Sequence, residues 1–191
     1  DIGKPKAIKN YKKGVPDGSC IFFYSSGDTA ESDIYSQGKK DGRWQTWFRS
    51  GKVSSITPFK NDKKNGTWIY YYVEGNKENQ TMFENGMREG QYTAWYRNGK
   101  KQMEGSFSKD KETGQWEEWY ANGQQKSVTR HADSLVYLME YSDSTGKKLI
   151  TNGNGSLVTY FPGGKKQAEG NYAGGLKTGL WKFYMKNGDK D

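Results

Sequence analysis

Large apolar side chains recur along this chain at a fixed period, separated by short polar turns. The stretch FENGMREG, residues 83–90, contains the repeating phrase: an aromatic, a polar turn, then a glycine. YKKGVPDG (11–18), YSQGKKDG (35–42), FKNDKKNG (59–66), FSKDKETG (107–114) and YAGGLKTG (172–179) repeat it. With the closing glycine as position zero, the series is Gly18, Gly42, Gly66, Gly90, Gly114, Gly155 and Gly179. Neighbours in the series lie 24 residues apart, except that Gly114 and Gly155 are separated by 41. A fixed period in this range marks a repeat architecture.

Inside each unit the apolar positions are equally regular. Position two is Trp44, Trp68, Tyr92, Trp116, Leu157 or Trp181, with Cys20 in the first unit. Position five is Phe23, Trp47, Tyr71, Trp95, Trp119, Tyr160 or Tyr184. Position six is Tyr24, Phe48, Tyr72, Tyr96, Tyr120, Phe161 or Met185. Position nine is always glycine, the last being Gly188, and position seventeen is Tyr35, Phe59, Phe83, Phe107 or Tyr172. Short aromatic runs bounded by glycine turns read as strands. GTWIYYY is thus a first strand and KQMEGSF a more polar return strand. A hairpin turn is expected between them, as at Asn98-Gly99 and Asn122-Gly123, because Asn-Gly tolerates positive φ. FENGMREG then joins one hairpin to the next, and its glycine is expected beneath the preceding aromatic ring.

Side chains alternate between the faces of a strand. Positions two, six and seventeen are therefore expected on one buried face, with three rings per repeat, and position five on the other. On this assignment Trp68→Ala and Phe83→Ala each cost roughly 3–5 kcal/mol, and Trp95→Ala less. The long unit departs from the pattern. His131 stands where position seventeen calls for an aromatic, and 17 extra residues follow before Gly155. There LVYLMEY reads as a strand, DSTGK as a turn and KLITN as a return strand. The expected fold is all-β: an elongated antiparallel meander, or solenoid, of about seven stacked 24-residue hairpin repeats with one inserted hairpin. Residues 1–10 read as an N-terminal extension, 11–191 as one array, and about 131–152 as the insertion.

Composition narrows the picture further. The hydrophobic fraction is 32%, and mean hydropathy is −1.09. Aromatics nonetheless reach 15%, with 7 Trp and 14 Tyr, which argues against disorder. The net charge of +8 favours anionic partners, with lysines spread over nearly every turn. Such lysines also keep sheet edges from aggregating. The single Cys20 has no partner for an internal disulfide. No apolar stretch approaches the roughly 20 residues of a membrane helix. The chain starts at Asp1 without methionine, as an expression product or an exported mature chain would; export (periplasmic, lipid-anchored or secreted) is favoured, with the cytoplasm as the alternative.

The pattern G-x-W-x-x-W-[YF]-x-x-G-K, carried by GRWQTWFRSGK, GQYTAWYRNGK, GQWEEWYANGQ and GLWKFYMKNGD, resembles the MORN-repeat variant family. The resemblance extends over roughly residues 11 to 190. It implies a scaffold or contact surface for protein partners or membrane lipids. Bacterial members are often labelled YwqK-like antitoxin components of toxin–antitoxin modules. The family supplies no catalytic residues to carry over.

Catalytic chemistry is not expected from the residues themselves. His131 is the only histidine, has no serine or cysteine motif beside it, and reads as a replacement for the aromatic. No His/Cys cluster suits zinc, and no phosphate-loop motif is present. Glu117 and Glu118 are adjacent on a strand and face opposite sides, while Asp41, Asp62 and Asp110 are scattered one per turn. No cofactor and no metal are expected. The expected role is a non-catalytic scaffold for an unknown protein partner. Trp47, Tyr71, Trp95, Trp119 and Tyr160 would form an aromatic ladder on the polar face, with Lys100 and Lys101 beside it; the competing reading is rings half-covered by long neighbouring side chains. The alternative is an envelope-associated binder of anionic lipid or polysaccharide. Nucleic acid ranks last, because the basic residues are not gathered into one stripe. A homodimer through one sheet face would also hide an open layer.

Overall fold

The computed structural model of the chain describes residues 3–186. Gly188, expected at position nine of the last repeat, lies outside them. The chain forms two units, residues 1–100 with 106–111, and residues 101–105 with 112–191. The first holds β1 (Ala7–Lys12), β2 (Val15–Phe23), β3 (Thr29–Ser36), β4 (Lys39–Lys40), β5 (Gly42–Trp47), β6 (Val53–Lys60), β7 (Lys63–Lys64), β8 (Gly66–Tyr71), β9 (Lys77–Glu84) and β10 (Met87–Trp95). β11 (Lys101–Ser108) is divided between the units, and nearly all of β12 (Lys111–Trp119) belongs to the second. The second continues with β13 (Gln125–Ala132), β14 (Leu135–Ser142), β15 (Lys148–Thr151), β16 (Asn154–Tyr160), β17 (Lys166–Ala173) and β18 (Leu176–Phe183). Within each unit, strands pair antiparallel with their sequence neighbours, as β8 does with β9 and β16 with β17. The expected all-β meander of hairpin repeats is the fold that forms. The sheet begins earlier than expected: Ala7 pairs with Phe22 inside the segment read as an extension, because the Tyr11 phrase needs a strand in front of its turn.

The turns divide their work differently from the sequence reading. Two consecutive positive φ values occur at the joints, as at Asn85 (51°) and Gly86 (95°), not at the Asn-Gly of positions eight and nine. A two-residue joint between twisted strands needs that geometry. At Asn98-Gly99 only Gly99 has positive φ, 80°. Its N–H donates to the Tyr96 carbonyl at 2.9 Å while the Tyr96 N–H donates to Lys100 at 2.9 Å, a three-residue loop. Joints also stack on one another in the first unit. The N–H of Gly86 reaches the Lys64 carbonyl at 2.9 Å, and that of Asp62 reaches Lys40 at 2.9 Å.

The register decides the faces. Position zero stands opposite seventeen (Gly66 and Phe83) and position two opposite fifteen (Trp68 and Thr81). A bulge recurs at position twelve, where the backbone register skips Ser54, Glu78, Lys126 and Gln167. In the first unit, Tyr35, Trp44, Phe59, Trp68 and Phe83 form a chain of rings with centroids 5.4, 5.0, 5.7 and 4.9 Å apart. Neighbouring strands lie about 4.8 Å apart, which lets rings on them touch.

Three corrections follow for the expected core. The face of positions two and seventeen is not sealed: Trp44, Trp68, Phe59 and Phe83 stay half-buried, and at these two positions only Cys20, Phe107, Trp116 and Leu157 are fully buried. Position six does not join the rings, because it has left the strand. Instead the hydroxyls of Tyr24, Tyr72 and Tyr120 donate to the carbonyls of Trp47 (2.5 Å), Trp95 (2.9 Å) and Ser142 (2.9 Å), bracing one hairpin against the next. No position-zero glycine is covered by a ring: Gly42, Gly66 and Gly90 face Ile34, Pro58 and Met82, while Gly114 and Gly179 have open space around them. A Cβ on Gly66 would lie 3.1 Å from Pro58 Cγ. The glycine that a ring covers is at position fifteen: a Cβ on Gly105 would fall 2.1 Å from Trp116 Cδ2.

The inserted hairpin is β14 and β15, and it is a shortened repeat. Gly146 donates to Asp143 at 2.9 Å and Asp143 to Lys147 at 3.0 Å, the same loop that Tyr120, Gly123 and Gln124 make. Ser142 offers its carbonyl to Tyr120 where a regular repeat offers that of position five. The loss falls on the return strand, because β15 has 4 residues where β13 has 8.

Candidate functional site

Trp47, Tyr71 and Trp95 belong to the first unit and Trp119 and Tyr160 to the second, with Lys100 in the first and Lys101 in the second. All five rings sit at position five, and Tyr160 is the most open, 57% exposed. Trp47, Tyr71 and Trp95 come from successive hairpins of the first unit, two strand spacings or about 9.6 Å apart, too far for stacking. Among the described residues no ring contact joins Trp47, Tyr71 and Trp95, so these three are separate platforms and not a stacked ladder. At two of the platforms the residue at position eleven of the preceding hairpin lies over the ring. Lys77 Nζ lies 5.6 Å from the centre of Trp95, and Lys101 Nζ 5.3 Å from that of Trp119. Lys101 also pairs with Glu104 at 2.5 Å. Such lysines cover the ring with their stems and hold a charge over it. Lys100 is exposed at the end of the loop, its N–H bonded to Asn98 Oδ1 at 3.0 Å.

Before Trp47, position eleven is Thr29, which is too short to cross the ring. An open groove of about 530 Å³ remains there, lined by Ile21, Asp28, Thr29, Ser32, Trp47, Arg49, Ser50 and Gly51. Its parts are held in place. The Trp47 carbonyl accepts the Tyr24 hydroxyl, and the Arg49 guanidinium lies 4.8 Å from the centre of the Tyr24 ring. The face around it is also more apolar than expected. Ile34 is 40% exposed and Met82 49%, in line with Pro58 at position sixteen. That row was readable in the sequence by aligning position sixteen as the rings were aligned.

A second repeated device lies on the opposite face. The residue two before position zero is a cation over the rings: Lys40 Nζ is 4.1 Å from the centre of Trp44, Lys64 Nζ 4.1 Å from that of Trp68, and the Arg88 guanidinium 3.9 Å from that of Phe107. In the long unit both partners change. Glu112 takes the cation's place and His131 the aromatic's, with Oε2 and Nδ1 3.4 Å apart, and the imidazole packs 6.0 Å from Trp116. His131 is therefore a packing residue with its own anionic partner. We expect Glu112→Lys alone to cost about 0.5–1 kcal/mol. The double change with His131→Phe should recover that loss by restoring the cation-over-ring pair. A double-mutant cycle read by urea unfolding measures the coupling, and a coupling of zero would refute the exchange.

The carboxylates Glu117, Glu118 and Glu169 are taken up in ion pairs and hydrogen bonds. Glu118 pairs with Lys126 at 2.7 Å, while Glu117 accepts from Gln115 and Gln125. Glu169 collects Lys166, Tyr184 and Lys182, which hold its carboxyl down at about 2. Among the described residues no cluster of three or more His, Cys, Asp or Glu could hold a metal ion. No helix among them is long and apolar enough to cross a membrane. No curated protein matches the chain. Residues 40–61 and 88–109, two hairpins with their joints, match the family described as the MORN repeat variant, a non-catalytic repeat type generally associated with protein and membrane binding.

Proposed function

We propose that this chain is a non-catalytic repeat scaffold that docks a protein partner on the face carrying Trp47, Tyr71 and Trp95. The observation that carries this reading is the open groove at Trp47, whose backbone carbonyl is tied by the Tyr24 hydroxyl while the indole lines the groove. A rigid, partly buried aromatic beside an arginine is the usual anchor of a protein interface. Lys100 belongs to the same proposal, and Trp119, Tyr160 and Lys101 are proposed as partner contacts of the second unit in their own right. An antitoxin-like role, with a toxin as the partner, is the narrower form that the family resemblance suggests. The reading assigns no enzymatic activity.

A second reading has its own support. Lys39 and Lys63 are exposed at the joints of the first unit, and the chain carries a net charge of +8. They favour the surface of an anionic lipid or polysaccharide, with export as the matching compartment. Capture experiments with the full chain and Trp47→Ala, washed at low and high salt, separate the two. A protein held through high salt by the parent and lost at least 30-fold by Trp47→Ala supports docking at the groove, a hot-spot loss of about 2 kcal/mol. Retention only of phosphatidylserine vesicles or acidic glycan, lost at high salt and indifferent to Trp47, overturns it.

A further inference from the structure

The first hairpin holds a buried acid that the other repeats lack. Position fifteen is Thr57, Thr81, Gly105, Thr129 or Gly170 elsewhere, all without charge, and Asp33 here. Asp33 is 2% exposed, and its Oδ1 has no hydrogen-bond partner. Burying a carboxylate against another acid is costly, so such a group takes up a proton, which here lets it hydrogen-bond the Glu31 carboxylate. Its surroundings come from four strands. Glu31, two residues earlier on the same face of β3, adds a second negative charge, and Tyr35 follows on that strand. Cys20 on β2 stands opposite Asp33, and Lys9 on β1 stands opposite Cys20. Lys40 on β4 completes the set. Both lysines lie over rings: Lys40 Nζ is 4.1 Å from the centre of Trp44, and Lys9 Nζ 4.9 Å from that of Phe22.

We propose that Asp33 is a proton-operated latch on the β2–β3 hairpin, closed while its carboxyl is protonated and loosened when it ionises beside Glu31. Burial first, then the neighbouring Glu31, push the Asp33 carboxyl up from its ordinary 3.8 to about 7, with Lys40 and Lys9 offsetting part of the rise. The folded hairpin therefore holds the proton more tightly than the unfolded chain does. Its stability is full below the ordinary carboxylate range, falls as pH rises, and has lost this contribution once pH passes the folded value near 7. β3 also gives Thr29 and Ser32 to the Trp47 groove, so the groove is firm in mild acid and looser in alkali. The latch does not depend on what that groove binds.

Cys20 is a built-in reporter, since it is the only cysteine, 1% exposed, and in register with Asp33. Alkylation of Cys20 by N-ethylmaleimide is measured in the parent and in Asp33→Thr, which installs the residue of Thr57 and Thr81. The ratio of parent to variant rates at each pH removes the thiol's intrinsic pH dependence. It is expected near one in mild acid and to rise towards about tenfold as pH moves from about 6 to about 8, the limit for one linked proton being tenfold per unit. An ionised Asp33 would itself slow thiolate formation, so a rise reports opening. The carboxyl carbon of Asp33, followed by NMR in the parent, should titrate above about pH 6. A flat ratio, or an Asp33 carboxyl titrating in the ordinary range near 4, overturns the latch. If Asp33→Thr does not fold, Asp33→Asn and the parent titration decide.

Discussion

Trp116→Ala is expected to lower the stability of the second unit by about 3–5 kcal/mol. The ring is 5% exposed and occupies the space that a Cβ on Gly105 would need. It packs beside His131 on one flank. Gly105 has no side chain, and the Thr129 opposite Trp116 in register is small, so neither can refill the cavity. Trp95→Ala is the matched comparison, since its ring is half-buried with Lys77 lying across it. It should cost about half as much, and so should Trp68→Ala and Phe83→Ala, whose rings are also half-buried. Urea unfolding followed by circular dichroism gives the ranking. A loss at Trp116 no larger than at Trp95 would show that packing over the position-fifteen glycine does not anchor this unit.

Gly153→Ala should be nearly as damaging, for a backbone reason. Gly153 has φ 76°, and a Cβ there would lie 2.4 Å from the backbone nitrogen of Gly175. That nitrogen donates to the Gly153 carbonyl at 2.9 Å, so two joints of the second unit meet face to face. A side chain at this point cannot be accommodated by a rotamer change. The cost combines a left-handed backbone, about 1–2 kcal/mol, with overpacking of about 1–3 kcal/mol. Gly51→Ala isolates the first term, because Gly51 has φ 80° and open space around it. Thermal unfolding of both variants should separate them by the overpacking term. Equal shifts would mean that the joints are not in backbone contact.

Much of the candidate site was legible because it repeats. Aligning the units on their glycines picked out Trp47, Tyr71, Trp95, Trp119 and Tyr160 as one class of position. The same alignment carried further would have shown Thr29 at position eleven, where Lys77 and Lys101 stand, and Asp33 among threonines and glycines. What the alignment could not give is that Lys77 and Lys101 reach over the ring of the following hairpin. That depends on how two hairpins pair, a contact absent from the local pattern. The exchange at Glu112 and His131 was likewise half visible: the histidine stood out, but its partner lies 19 residues earlier and becomes its neighbour only through strand pairing.

The sequence alone determined the repeat, its period, the strands and the places of the turns. These follow from local rules, the alternation of side chains along a strand and the tolerance of glycine for positive φ. It also located the shortened repeat after Gly114, because the interval to the next glycine is too long. Only the tertiary structure decided which turn takes two positive φ values, which rings touch, and that Tyr24, Tyr72 and Tyr120 brace neighbouring hairpins. It alone showed that the face of positions two and seventeen stays half-open, and that a groove opens at Trp47. Those features depend on register and on the bulge at position twelve. Register is fixed by the pairing of whole strands, so no single repeat, read along its own length, contains it.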